Sequence, residues 1–556
     1  MKKTIALGIA GIMLISGILT GCGKAQEISN ETLETSNESL EASNETQEAS
    51  NEIQAGSDES QEEKKGYQTT YGDKQFDNVT INVEVFDRSS APEGATVVDN
   101  KWVDYINQEM NKVGINVNFV AVPRGEETTK IQVMMASGTA PDLILTYDRS
   151  LAESYYAKGG IVALNDYVDG EDQAVNLKKY ITEEVLDMCR NDDGELWAIT
   201  ARRVNTAKKN LFIRKDWLDK LEMDMPETVD DLYNVLKAFK ENNPDGKKDV
   251  VAFSSDTLSY SAYGVMEGAF MESVENETQF NISSYRPIYS DDGYVEYLRF
   301  LNKLYNEGLM DPEYYVGNSL NELIVNGRVG FFEYGINDTI NKDVLQSLQA
   351  SEPEADIVSL PPLKNVNDGK QYNIADNGNG IYVLIPKTCQ NVDAVITYLD
   401  WMATKDGGYV INNGFEGEHY QLENGIPMVI DADYNEKDKN WINFDLFLVG
   451  NGGYFTDPQD VVDANAAMAP GYEEYVYENY KNAVIGDIIY ATPTYVSPIQ
   501  VECHTEIKLA QDENQIKCIT CKPEEFDANI AVYREALKNA GMDKVLEERT
   551  AYFTGK

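Results

Sequence analysis

Between Val79 and Leu145 the hydrophobic pattern switches repeatedly between strand and helix periods, and this constrains the fold more than any other feature of the chain. Val79-Thr80-Ile81-Asn82-Val83-Glu84-Val85 alternates apolar and polar side chains, as a half-buried strand does. Trp102, Tyr105, Ile106, Met110 and Val113 then fall at helical spacing over 101–113, and Gly114 closes that helix. Ile115 to Val120 alternates again, Glu127 to Ser137 reads as a second helix, and Leu143-Ile144-Leu145 is a short apolar strand. Strands separated by helices predict an α/β fold with a mostly parallel sheet. Ligands on such sheets sit beyond the carboxyl ends of the strands. That rule makes Tyr147 and Asp148, just past the third strand, candidate ligand contacts.

At 556 residues the chain exceeds what one compact core ordinarily serves, so more than one lobe is expected. It carries 47 Lys and Arg against 94 Asp and Glu, a formal charge of −47 that repels phosphate backbones and anionic lipid headgroups. Nucleic acid is therefore excluded as a partner. With 2 His in the whole chain, multi-histidine metal chemistry is closed off too. Tyr outnumbers Phe and Trp (34 against 17 and 5), and its apolar face with a hydroxyl tip suits wet clefts as well as cores.

The amino terminus carries an address. Lys2 and Lys3 precede an apolar run from Ile5 to Leu19 that is too short to span a bilayer comfortably. It ends in Leu19-Thr20-Gly21-Cys22, which resembles the lipobox of bacterial lipoproteins. The resemblance implies a signal peptide over 1–21, Cys22 as the lipidated first residue, and a body outside the membrane held by lipid alone. Residues 22–76 are expected to form a disordered acidic tether. Ser-Asn-Glu recurs at 29, 36, 43 and 50, but Leu33 and Leu40 give way to Gln47 and Gln54, so no coiled-coil seam persists. Roughly 45 such residues reach about 35–40 Å.

Further on, motifs in a fixed order resemble family 1 of the extracellular solute-binding proteins, in particular the large lipoprotein subgroup of Gram-positive bacteria. These are KIQVMMASGTAPDLI, LFIRKDWLDKLEMDMPETVDDLYNVLKAFKENNPDG, LYNEGLMDPEYY, GRVGFFEYG, LPPLKNVNDGK, YVLIPKTCQNVDAVITYLDWMA, NGFEGEHYQ and FDANIAVYREALKNAGMDKVLEERTAYF. The resemblance implies a two-lobed α/β fold of the periplasmic-binding-protein type, with hinge and crossover segments. Lobe 1 is expected at 77–200 plus 355–410, and lobe 2 at 201–354 plus 411–556. It also implies the role: a monomer that captures an oligosaccharide between the lobes and delivers it to the permease subunits of an ABC importer.

Sugar recognition needs aromatic faces for the C–H side of each ring, with amides, carboxylates and guanidinium groups for the hydroxyls. On that chemistry and the family likeness, further candidate contacts are Trp197, Arg202 and Arg203 near the crossover, with Tyr260 and Tyr263 in a loop after a strand. Glu333 and Tyr334 end another strand, Asn377 and Asn379 lie near the lobe junction, and Phe415, Glu416, His419 and Tyr420 share a Gly-bounded loop. Trp217 and Trp401 fall on apolar helical stripes and read as core.

No metal or other cofactor is expected. The subgroup often carries an EF-hand-like loop, but Asn243-Pro244-Asp245-Gly246-Lys247-Lys248-Asp249-Val250 is shortened and ends without the closing Glu. Cys518 and Cys521 form a close pair, yet a zinc site would need two more ligands, for which Cys503 and His504 are the available neighbours. A surface-anchored glycan-active enzyme is the competing class, and a binder of peptide or lipid-like solutes is another. The chain contains no Gly-x-Ser-x-Gly elbow and no His-Glu-x-x-His helix, and the reading is therefore a binder, not an enzyme.

Overall fold

The computed structural model describes residues 75–555, apart from 192, 256–263, 316–318, 342, 491–494 and 496. The expected signal peptide, Cys22 and nearly all of the tether lie outside the described residues, as do Tyr260 and Tyr263. Among the described residues, no helix is long and apolar enough to cross a membrane.

The period switching at 79–145 becomes strand β1 (Val79–Asp87), helix α1 (Lys101–Met110), β2 (Ile115–Pro123), α2 (Glu127–Ser137) and β3 (Ile144–Thr146). The Asn100 side chain caps α1 by accepting from the backbone N–H groups of Trp102 and Val103, at 3.0 and 3.1 Å. Gly114 turns the chain back into β2 at φ 79°, and a Cβ there would lie 1.9 Å from the Phe76 carbonyl oxygen, so no other residue fits unstrained. β1 and β2 pair in parallel from Val79↔Ile115 to Asp87↔Pro123. A parallel bridge, Val83↔Leu143, joins β1 to the start of β3. On the other side of β3 come β10 (Asn379–Leu384) and then β4 (Ile199–Arg202), both contacts antiparallel.

A second sheet has the order β6-β7-β5-β8, with β5 at Lys209–Arg214, β6 at Val251–Ser255, β7 at Val329–Gly335 and β8 at Ile357–Leu360. β6 and β7 run parallel, while β5 is antiparallel to both β7 and β8. Two short strands, β9 (Tyr372–Ala375) and β13 (Asp487–Tyr490), pair in parallel beside it. A hairpin, β11 (Tyr420–Glu423) with β12 (Ile426–Val429), projects from the first half.

Each sheet has its own hydrophobic core, which gives the two-lobed α/β architecture. The first core runs from Ile81 to Ala201 and resumes from Ile381 to Val449, with Trp401 fully buried in it. The second sheet is covered on both faces. Helices including 292–306 and 498–520 pack with Trp217 on one side, and the helices Pro458–Ala467 and Glu473–Asn482 pack on the other. The chain passes between cores from Ala201 to Val204, from Tyr372 to Ile381, and from Tyr454 to Phe455. Segment 355–375 therefore lies in the second core rather than the first, because β8 hydrogen-bonds to β5. Residues 411–449 lie in the first core rather than the second, because Ile411, Trp441 and Leu446 pack with Trp401.

Candidate ligand cleft

All three parallel strands of the first lobe point their carboxyl ends the same way, and the residues that follow them converge. Phe86 and Arg88 close β1, Arg124 follows β2, and Tyr147 follows β3. The Tyr147 ring stacks on Phe86 (centroids 6.4 Å apart, planes at 28°) and is 46% exposed. Arg124 lays its guanidinium over both rings, at 4.8 Å from Phe86 and 5.2 Å from Tyr147, and its Nη1 donates to Glu127 at 2.8 Å. Arg88 donates from Nε and Nη2 to the Asp445 carboxylate at 2.7–3.0 Å. This pair anchors the segment that carries Phe444, which is 60% exposed. A cavity of about 210 Å³ opens here, lined by Phe86, Arg88, Tyr147, Phe444, Asp445 and Asn451 among others.

The second lobe approaches this cluster through the helix Pro498–Thr520, which packs against α3 (Arg149–Ala157) of the first lobe. Asp148 caps α3, its Oδ1 accepting from the Leu151 N–H at 3.1 Å, and its charge acts on both Tyr285 and His504 across the lobe boundary. The Tyr285 hydroxyl and His504 Nδ1 are 3.1 Å apart. Arg286 lies over the Tyr285 ring at 4.3 Å with its Nε buried and without a hydrogen-bond partner. Burial raises the Tyr285 and Tyr147 hydroxyls above their ordinary value, so both are neutral donors at physiological pH. The first lobe thus offers ring faces with cationic edges, and the second lobe brings the buried Tyr285–Arg286 pair and exposed His504 up to the neighbouring helix α3.

Of the residues singled out by sequence, Tyr147 and Asp148 lie in this cleft. Arg203 does not line this cavity: its Nη1 donates to the carbonyls of Asn377 and Asn379 at 2.9 and 3.1 Å, which pins the crossover. Arg202, one residue earlier, donates to the carbonyls of Tyr180 and Thr456. The side chain of Asn379 is spent on the Tyr382 hydroxyl, 2.8 Å away, and Asn377 is buried.

Four candidates are core or loop pins instead. Trp197 is 3% exposed and stacks on Tyr382 at 5.7 Å inside the first core. Tyr334 is buried under the second sheet and donates to Asn321. Glu333 accepts from the Val265 N–H at 2.9 Å and so ties down the chain at Val265. His419 is fully buried, with Nε2 2.9 Å from Asp438 and Nδ1 accepting from the Phe415 N–H. Its loop packs on α1, where Phe415 stacks on Trp102; Tyr420 meets Tyr409 of the 405–409 turn edge-on, and Glu416 is exposed on the same loop.

The sequence reading missed Phe86, Arg88 and Arg124, although the strand-end rule that marked Tyr147 applies to them equally. It also missed Phe444 and Asp445, and Tyr285, Arg286 and His504, whose neighbours come from distant segments and leave no local signal.

Cations of the chain itself occupy the places where a metal might be sought. In the shortened 243–249 loop, the Asp245 carboxylate accepts from Arg214 Nη2 (2.7 Å), Trp217 Nε1 (2.6 Å) and Lys220. Burial alone would raise Asp245, but Lys220, Trp217 and Arg214 together hold it below its ordinary value. Glu418, His419 and Asp438 bring ligand atoms within 4.8 Å of one another, yet Lys101 Nζ sits 2.5 Å from Glu418 and 3.2 Å from Asp438. The five described cysteines are free thiols.

The family model of the bacterial extracellular solute-binding proteins matches residues 94–409. Lipoprotein LipO of Bacillus subtilis (strain 168) is 30% identical over 329 residues, which cover 56% of this chain and 63% of that protein. The polygalacturonan/rhamnogalacturonan-binding protein YtcQ of the same organism is 26% identical over 312 residues, covering 54% of this chain and 60% of that one. The chain thus spans about three-fifths of the length of these two relatives. Among solved structures, the alginate-binding protein AlgQ2 without calcium ion superposes with a TM-score of 0.61 at 18% identity, over 88% of this chain and 100% of that one.

Proposed function

The chain belongs to the bacterial extracellular solute-binding protein family, and from that premise we propose that it captures an oligosaccharide between its lobes and passes it to an ABC importer. The observation that carries the reading is the Phe86–Tyr147–Arg124 stack with exposed Phe444 beside it, lining a cavity at the strand ends. Exposed ring faces take the C–H side of a pyranose or furanose, while Arg, Tyr and Asn groups around them take the hydroxyls. Two lobes joined by three crossovers can close on such a ligand by hinge motion. Relatives whose names record sugar polymers support the class of ligand.

The permease subunits of that importer are the protein partner, and the protein acts as a monomer anchored outside the membrane by lipid on Cys22. It performs no chemistry on the glycan; the family is one of binders, and the cleft supplies stacking and hydrogen bonding. A panel of oligosaccharides screened by thermal unfolding tests the reading. A ligand present at 100 times its Kd adds about 2.7 kcal/mol of stability. Replacing Tyr147 and Phe444 by Ala should abolish the shift, and the glycan should be recovered unchanged after incubation. A flat response across the panel, or cleavage products, would overturn it.

A further inference from the structure

A second cavity, of about 880 Å³, lies on the opposite side of β4 from the ligand cleft. Residues 449–451 run beside β4, with the Arg202 N–H donating to Val449 O and the Asn451 N–H to Arg202 O, both at 2.8 Å. This strip is the wall between the two spaces. Gly450 to Gly452 line the ligand cleft, whereas Tyr454 to Thr456 line the second cavity. Arg202, the last residue of β4, lines the second cavity.

The second cavity is built from both lobes. Asn176, Lys179 and Tyr180 come from the helix Val175–Ile181 of the first lobe, with Thr404, Lys405, Tyr409 and Asn413 from the stretch after helix 392–402 and the tip of the β11–β12 hairpin. Asp460 and Asp463 come from the helix Pro458–Ala467, whose Val461 and Val462 are in the second lobe's core. Its aromatic wall is layered: Tyr180 stacks on Tyr454 at 4.8 Å, and Tyr409 meets Tyr454 edge-on at 5.7 Å. Tyr409, Tyr454 and Phe455 are each only part-buried, so ring surface is left for a ligand. Lys179 and Lys405 on one wall and Asp460 on the other are exposed.

From this chemistry we infer a second ligand site for a small, uncharged polyhydroxylated molecule, a mono- or disaccharide, seated at the lobe crossovers. Ring faces beside amides, hydroxyls and charges of both signs suit a ligand with many hydroxyls and no net charge. An apolar ligand would strand those polar groups, and a strongly anionic one would meet Asp460 and Asp463. Because both lobes line the site, its occupancy depends on the angle between them, and binding there is coupled to binding in the cleft in both directions. The site does not depend on what the cleft itself binds.

The test uses the full chain with glucose, galactose, fructose, sucrose, maltose and lactose as probes, at up to millimolar concentration, read by titration calorimetry and saturation-transfer NMR. At least one sugar should bind, should weaken about tenfold in Tyr409→Leu, and should be lost in Thr456→Trp, where a large ring on the exposed crossover fills the cavity. The same sugar should bind Tyr147→Ala as it binds the unaltered chain. Circular dichroism of each variant confirms folding. Absence of binding by all six sugars overturns the inference, and so does binding that survives Thr456→Trp or that disappears in Tyr147→Ala. Failure of the oligosaccharide panel in the cleft, with Tyr409-dependent binding intact, would instead reject only the proposed cleft function.

Discussion

Glu84 sits at 0% exposure in the middle of β1, directly beneath the strand ends that build the cleft. One carboxylate oxygen accepts from the Leu145 N–H at 2.7 Å, and the other has no hydrogen-bond partner. Burial pushes its pKa from 4.5 up to about 8, with the neighbouring Glu127 adding to the effect and the Leu145 N–H and Arg124 opposing it. The unfolded chain releases this proton near 4.5 and the folded chain only near 8, so between those values the folded state holds more protons and stability falls as pH rises. At about 1.4 kcal/mol per pKa unit, the cost is below about 1 kcal/mol at pH 5, about 3 kcal/mol at pH 7 and about 5 kcal/mol at pH 9. Glu84→Gln keeps the shape and the acceptor for Leu145 and removes the titration. It should therefore stabilise the protein by about 3 kcal/mol at pH 7 and by little at pH 5. Chemical denaturation of both proteins at pH 5, 7 and 8.5 measures the difference, and subtraction removes contributions from Glu127 and Glu267, which burial also raises. Parallel pH profiles for the two proteins, or a variant less stable at pH 8.5, would refute the reasoning.

Other perturbations probe separate links of the same structure. Arg214→Met removes a cation that is 1% exposed and bonded to Asp216 and Asp245, leaving the two carboxylates to Lys220 and the Trp217 N–H, and should cost about 3 kcal/mol in a denaturant titration. Gly114→Ala forces a side chain into a left-handed turn against the Phe76 carbonyl and should cost at least about 1–2 kcal/mol in the same assay. Exchange of EDTA for millimolar calcium should leave the unfolding temperature unchanged, because Arg214, Trp217 and Lys220 already satisfy Asp245; a rise would show that the loop takes the ion. Tyr147→Ala should weaken oligosaccharide binding about tenfold, equivalent to about 1.4 kcal/mol, by calorimetric titration.

The parts legible in the sequence were those whose physical cause is local. Side-chain period separates β1, α1, β2, α2 and β3, and the rule that ligands sit past strand ends then reaches Tyr147 and Asp148 without any coordinates. The same local pattern could not say what a strand-end aromatic faces. Tyr334 ends β7 just as Tyr147 follows β3, yet Tyr334 turns into the core beneath the Glu473–Asn482 helix and Tyr147 turns out. Trp197 is a candidate contact by sequence, but its ring is covered by Tyr382 from a strand that arrives after the 204–375 stretch of the second lobe. The crossover boundaries moved for a similar reason: β8 is placed by its ladder with β5, and residues 411–449 by their packing on Trp401.

By itself, then, the sequence determined the α/β class, the strong acidity of the chain, and the ordered motifs by which the family is known. Tertiary structure alone decided which side chains converge: Arg88 with Asp445, Tyr285 with His504, Asp245 with Arg214 and Lys220, and Arg202 and Arg203 on carbonyls of different segments. Periodicity and motif order are carried by neighbours along the chain. A binding cleft is carried by contacts between segments hundreds of residues apart, and only the packing of two sheets on their own helices brings those together.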